Sequence, residues 1–251
     1  MKKLTMLLLL GLFALSSTLY AQKKKSTGKS TGKKSTGNKP SDFKGTWGTK
    51  VEEALKALKI KGNTKHGAII YEEICANCHQ PEGHGDPAGN FPQLAGQHST
   101  VVIKQIADIR AGNRDNPTMY PFANAIALQE QTDDLFDKPK TGAETLADVS
   151  AFIETLKIST KNAKGDGKDL AHGEKLYKAN CVKCHGDHGE GKAKDYYPLI
   201  ASQNYNYLMR QFKWIKAGKR RNANPDMIKQ IKNFSERDMK AVLDYVSRQV
   251  K

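Results

Sequence analysis

Cys-x-x-Cys-His occurs twice in this 251-residue chain, as Cys75-Ala76-Asn77-Cys78-His79 and Cys181-Val182-Lys183-Cys184-His185, and the two copies use all four cysteines. The spacing is that of covalent haem attachment. Two sulfurs reach both vinyl groups along one porphyrin edge, and the next histidine falls under the iron as its proximal ligand. Other uses of the cysteines fit less well. A four-thiolate zinc site would have to join pairs separated by 102 residues, and it leaves both histidines without a role. Local disulfides or a thioredoxin-like redox pair would suit an exported chain, yet no βαβ pattern surrounds either motif.

The motifs lie inside a longer repeat. A shift of 106 residues lays His66-Gly67 on His172-Gly173, Tyr71 on Tyr177, Gly83 and Gly85 on Gly189 and Gly191, and Pro92 on Pro198. The same shift lays Gln97 on Gln203, Gln105 on Gln211, Ile109 on Ile215, and Ala111-Gly112 on Ala217-Gly218. After a two-residue insertion, Asn116-Pro117 falls on Asn224-Pro225 and Met119 on Met227. This is a tandem duplication of one unit. Residues 129–143 of the first copy have no counterpart in the second.

Strand-like alternation is absent and apolar residues recur at three and four, so both copies read as helical. The expectation is an all-α chain of two small lobes, 41–160 and 161–251, each wrapped around a covalent haem. Helices are predicted from about 64 into the first motif and over 100–111, 144–157, 169–180, 205–217 and 235–249. Ser235 followed by Asp238 resembles a capping box, and Gly112 and Gly218 stand where helices commonly stop. Gly67 and Tyr71 share a helical face, as do Gly173 and Tyr177, and these faces are expected against Phe152 and Tyr245. Val51, Leu55 and Leu58 predict a short covering helix. Lobes of this size bury little surface alone, so the haem should form much of each core.

Residues 1–21 carry Lys2 and Lys3, an apolar run and a polar end at Ala21, the layout of a secretory signal peptide. Leu19 and Ala21 make an imperfect cleavage site, which leaves an uncleaved membrane anchor as the alternative. Residues 22–40 hold seven lysines in Ser/Thr/Gly-rich units and read as a flexible tether, with attraction to an anionic membrane surface as a second reading. The expected location is therefore the periplasm.

The formal charge of +15 is unevenly spread: residues 41–160 sum to −4 and residues 161–251 to +10. No groove-reading motif or stacking pattern accompanies the basic residues, which argues against a nucleic-acid partner. Lobes of opposite sign suit steered, brief docking of an electron carrier, the basic lobe meeting an acidic partner. Trp47 and Trp214 read as apolar packing surfaces.

His79 and His185 are the expected proximal ligands. Of the four methionines beyond the signal segment, Met119, Met209, Met227 and Met239, only Met119 and Met227 share a register, each just past Asn-Pro. They are the expected opposite-face ligands, held by a fixed extended loop. The competing histidines, His66, His84, His98, His172 and His188, read as surface or helix-cap groups. Pro92 and Pro198 are expected to accept the proximal ring N–H through their backbone carbonyls and so orient the imidazoles.

Together the two motifs, the stretch from Pro92 to Gln97, the Ala-Gly and Asn-Pro-x-Met signals and the aromatic-bearing closing helices resemble the class I cytochromes c. They resemble most the tandem dihaem cytochrome c4 family, over nearly all of residues 64–250. That resemblance implies two covalent haem c groups, His/Met coordination and a pseudo-twofold pair of lobes. It also implies single-electron transfer between partners such as a terminal oxidase, a reductase or a membrane quinol-oxidising complex. The lysine-rich tether, the 129–143 insertion and the loosely copied stretch from Tyr197 to Gln203 depart from the pattern. Two other functions stay open: a dihaem subunit of a larger oxidoreductase such as a flavocytochrome sulfide dehydrogenase, and a dihaem enzyme such as a peroxidase or thiosulfate dehydrogenase.

Overall fold

Asn63 accepts hydrogen bonds from the amides of Lys65 and His66 and so starts helix α2, Thr64–Ile70, with two of its otherwise unpaired donors satisfied. The computed structural model describes residues 51–128 and 141–250. The signal segment, the lysine-rich tether, Trp47 and most of the 129–143 insertion lie outside the described residues. Before α2 comes α1, Glu52–Ala57. A π-helical turn, Tyr71–Cys75, and α3, Ala76–His79, carry the chain through the first Cys-x-x-Cys-His. Then follow α4 (Ser99–Arg110), α5 (Tyr120–Leu128) and α6 (Gly142–Thr155). The second half repeats the plan with α7 (Leu170–Asn180), α8 (Val182–His185), α9 (Tyr205–Lys216), α10 (Pro225–Ile231) and α11 (Glu236–Ser247). Among the described residues there is no strand, only an isolated bridge between Lys192 and Tyr197.

The second closing helix begins as the sequence predicts, whereas α6 starts two residues before the expected 144. Ser235 and Asp238 form a reciprocal capping box at α11, and Thr141 and Glu144 form another at α6. Each closing helix crosses the helix that leads into the motif of its half, α2 or α7, at a glycine. A Cβ on Gly67 would overlap the Asp148 carbonyl, and one on Gly173 the Ala241 carbonyl, so only a bare Cα lets the backbones meet. Phe152 and Tyr245 flank these crossings as expected, their rings 5.4 Å from Tyr71 and 5.6 Å from Tyr177.

Two apolar clusters result. One gathers Tyr71, Cys75, Ile106, Leu146 and Val149; the other gathers Tyr177, Leu208, Phe212, Val242 and Val246. The predicted covering helix is α1, but its buried face differs from the expectation. Ala54 and Ala57 are fully buried between Val51 and Leu58, while Leu55 faces solvent, because the small alanines let α1 lie close against its neighbours.

The halves meet through polar groups. Lys104 and Asp108 pair on α4 and are both buried, with Asn222 of the other half donating to the Asp108 carboxylate. The connecting segment is tied down. Asn162 shares its side-chain amide among the carbonyls of Ala163, Gln203 and Ser247, and Gln93 exchanges hydrogen bonds with the backbone of Ser159.

Candidate haem sites

Each Cys-x-x-Cys-His sits on a short helical turn at the end of the helical segment that begins with α2 or α7. A tyrosine of that segment folds back onto it: Tyr71 donates to the Gln80 carbonyl at 2.8 Å and Tyr177 to the Gly186 carbonyl at 2.7 Å. Burial raises both phenol pKa values, which keeps them as donors. The register of these tyrosines is visible in the sequence; the carbonyls they close upon are not.

His79 and His185 are buried. Nδ1 of His79 lies 3.0 Å from the Pro92 carbonyl oxygen, and Nδ1 of His185 lies 3.0 Å from that of Pro198. A carbonyl only accepts, so in both rings Nδ1 carries the proton and Nε2 presents the lone pair. The two predicted proline contacts are thus present. Gly85 and Gly191 make them reachable: both have positive φ, 66° and 76°, and a Cβ on either would overlap the Pro92 or Pro198 backbone. Phe91 and Tyr197 flank the two imidazoles at centroid distances of 6.1 and 6.5 Å.

The structure brings Cys75 and Met119 to the first apolar cluster, and Cys181 and Met227 to the second. Each apolar cluster therefore holds one cysteine of its motif and the in-register methionine, and the second cluster also takes in Met209 and Met239. With the anchored imidazole of its half, that donor set suits a haem iron with a nitrogen on one face and a sulfur on the other. None of the four cysteines is in a disulfide. Burial pushes the Cys75 and Cys181 thiols up to about 12, the reverse of the lowered pKa on which thiol redox chemistry depends. The two pairs also belong to separate cores, so they do not form one four-thiolate site.

The methionine segments depart from the extended loop inferred from Asn-Pro. Asn224 is extended, but it caps α10 with Pro225 in the first turn, which places Met227 on a helix. Met119 lies in a turn in which its amide bonds Asn116, directly before α5. Asn-Pro here starts a helix, because proline's fixed φ and missing N–H suit a first helical turn.

The other histidines divide. His66 is buried, its Nδ1 2.7 Å from Asp148 Oδ2, so the expectation of a surface or cap group is corrected: it ties α2 to α6. His172 bonds Asp238, His84 the Lys157 carbonyl, and His98 the Glu190 carbonyl of the other half, while His188 is exposed. Trp214 packs under the Arg210 guanidinium, which stands 5.3 Å from its ring.

Around the two motifs several repeat-equivalent positions differ in charge, mostly toward positive in the second half, although exposed Asp187 there stands opposite Pro81. Exposed Glu72 corresponds in the repeat to exposed Lys178, Asn77 to Lys183, and the half-buried Asp86 to the exposed Lys192. Among the described residues no helix is long and apolar enough to cross a membrane.

Comparison with known proteins bears on both halves. The family model described as "Cytochrome c" matches residues 64–157, and the model described as "Cytochrome C oxidase, cbb3-type, subunit III" matches residues 168–246. Cytochrome c4 of Azotobacter vinelandii is 28% identical over 69% of this chain and 83% of its own length. The thiosulfate dehydrogenase electron acceptor of Stutzerimonas stutzeri is 33% identical over 72% of this chain and 82% of its own. The crystal structure of reduced cytochrome c4 from Pseudomonas stutzeri superposes with a TM-score of 0.64 at 24% identity, covering 75% of this chain and all of that one.

Proposed function

Because this chain belongs to the tandem dihaem cytochrome c4 family of class I cytochromes c, and is an electron-transfer protein with two covalently bound haem c groups, we propose that it shuttles single electrons between respiratory partners in the periplasm and catalyses no reaction of its own. When bound, haem c supplies a one-electron Fe(III)/Fe(II) couple.

We assign Cys75 and Cys78 to the first haem and Cys181 and Cys184 to the second. His79 and Met119 would hold one iron, His185 and Met227 the other, with the units dividing as 41–160 and 161–251. Pro92 and Pro198 hold the proximal rings in one tautomer and orientation. The apolar clusters exclude water, and a methionine thioether on the iron would favour its reduced state.

The observation that supports this reading is the anchoring, in each half, of the motif's histidine through Nδ1 on a repeat-equivalent proline carbonyl, which leaves Nε2 as its free lone pair. Two protein ligands per iron leave no position for a substrate. The relative named as an electron acceptor for thiosulfate dehydrogenase supports a redox enzyme as donor. A terminal oxidase, a reductase or a quinol-oxidising membrane complex are the partner classes at either end of the transfer. The signal-like N-terminus supports export, and the lysine-rich tether supports loose attraction to an anionic membrane surface.

The test is spectroscopic. The oxidised holoprotein is expected to be fully low-spin and to show the weak long-wavelength charge-transfer band of methionine-bound iron. Met119→Ala and Met227→Ala should each remove about half of that band. A high-spin haem in the unaltered protein would overturn the carrier assignment in favour of an enzyme. A flavoprotein co-purifying in fixed ratio would instead favour a subunit role.

A further inference from the structure

Gln97 and Gln203 occupy the same register of the duplication, and each reaches across to the other half. Gln203 Oε1 accepts from the Gln93 amide at 2.9 Å, while its Nε2 donates to the Gln93 carbonyl at 2.8 Å. Gln97 Oε1 accepts from the Leu199 amide at 3.0 Å, and its Nε2 donates to the Leu199 carbonyl at 3.0 Å. Residues 93 and 199 are themselves 106 apart, so one two-point clamp is built twice, with the halves exchanged. Gln93 and Gln203 are buried, where water competes weakly for these bonds.

The position of the clamped amides matters more than the clamping. The N–H of Gln93 and the C=O of Pro92 belong to one peptide group, and that carbonyl accepts from His79 Nδ1. Likewise the N–H of Leu199 shares a peptide group with the Pro198 carbonyl that accepts from His185. A single planar, conjugated unit therefore stands between each proximal imidazole and a glutamine side chain of the opposite half. Hydrogen bonding at the amide end pulls electron density toward the carbonyl oxygen and makes it a stronger acceptor, the cooperative polarisation of hydrogen-bond chains. A stronger acceptor at Nδ1–H gives the ring more imidazolate character, and a more basic ligand favours the oxidised metal.

We propose that Gln203 sets the electron affinity of the first haem and Gln97 that of the second, each acting as a positioning residue through one peptide group across the interface between the halves. The inference rests on His79 and His185 being the proximal ligands. It adds that each centre is tuned by its twin's side chain, so docking of the halves is part of what fixes both potentials.

Redox titration of the holoprotein tests this, with Met119→His and Met227→His used to assign the two waves. In Gln203→Met, which removes the acceptor but keeps a similar volume, the first haem's potential should rise. Its oxidised-to-reduced ratio at a fixed ambient potential should fall a few-fold, and the second haem should stay in place. Gln97→Met should do the reverse. Gln203→Glu, which keeps an oxygen opposite the Gln93 amide, should not raise the first potential. Should the haem of the mutated half move instead, or neither move in a protein that melts cooperatively, the relay is wrong. Should Met119→His and Met227→His leave both waves and the spectrum unchanged, the ligand assignment itself has failed, a result distinct from failure of the relay.

Discussion

Arg114 and Arg220 stand at one register of the duplication, and each guanidinium donates both to the glutamine of its own half and to that of the other. Arg114 bonds Gln105 at 2.9 Å and Gln211 at 3.3 Å, whereas Arg220 bonds Gln211 and Gln105, both at 3.1 Å. The two arginines and two glutamines thus form a closed ring across the interface, with Tyr207 accepting a further bond from Arg114. Replacing either arginine by methionine leaves both glutamine oxygens short of a donor. Each change is expected to cost about 1 to 3 kcal/mol in denaturant unfolding. The double variant should cost less than the sum of the singles, because the four groups act as one network.

Gly67→Ala and Gly173→Ala are expected to be severe. The obstacle at each is a backbone carbonyl of the closing helix, Asp148 or Ala241, which no side-chain rotation can move aside. About 3 kcal/mol or more of stability should be lost in each case. Gly112→Ala is the comparison, since nothing lies within 4 Å of the added carbon and only its φ of 72° resists. About 1 to 2 kcal/mol should be lost there. Thermal melts of the three holoproteins check the ranking.

Acid should loosen the second half at the start of α11. Hydrogen bonds from the Ser235 hydroxyl, then from His172 and the Ser235 amide, hold the Asp238 carboxyl down to about 2 from an ordinary 3.8. A carboxylate whose folded pKa is depressed stabilises the fold fully above its unfolded value, and the contribution disappears as pH falls through the folded one. Asp238→Asn should therefore be less stable than the parent at neutral pH, and the gap should close between about pH 4 and about pH 2. Urea midpoints measured across that range give the answer.

The difference in charge around the attachment motifs predicts opposite reagent preferences at the two haems. With Lys178, Lys183 and Lys192 at one and Glu72 and Asp86 at the other, an anionic hexacyanoferrate should react faster at the second haem and a cationic cobalt complex faster at the first. Both preferences should shrink as salt rises toward a Debye length of about 8 Å. Lys183→Glu with Lys192→Glu should abolish the anion's preference in stopped-flow measurements.

Much of this arrangement was legible from the duplication. Residues that recur at one shift, such as Gly67 with Gly173 and Tyr71 with Tyr177, proved to be the crossing points and the groups closing onto each motif. Local signals also translated directly, as with Ser235 and Asp238 at α11. Cross-half partners did not translate. Gln97 and Gln203 were visible as a pair, but a repeat shows which positions are equivalent and not which of them touch. The burial of His66 beside Asp148 is likewise a tertiary event, since a histidine on a helix reads the same whether a carboxylate waits opposite it or not. Asn-Pro reads as an extended loop because proline restrains itself and the residue before it, although the same restraint equally suits a cap and first turn, as at Asn224. The π-helical turn at Tyr71–Cys75 has no counterpart in α7, and the residue pattern carries no sign of it.

The segment between the halves behaves as a splint. Ser159 is pinned to the first half by Gln93 and Asn162 to the second by Gln203 and Ser247, and Gln93 in turn bonds across to Gln203 and Ser202, so the connector is fastened on both sides of the junction. With both haems bound as proposed, exchange between them would not wait on a swing of one half, and its rate should be indifferent to the viscosity of the surrounding medium.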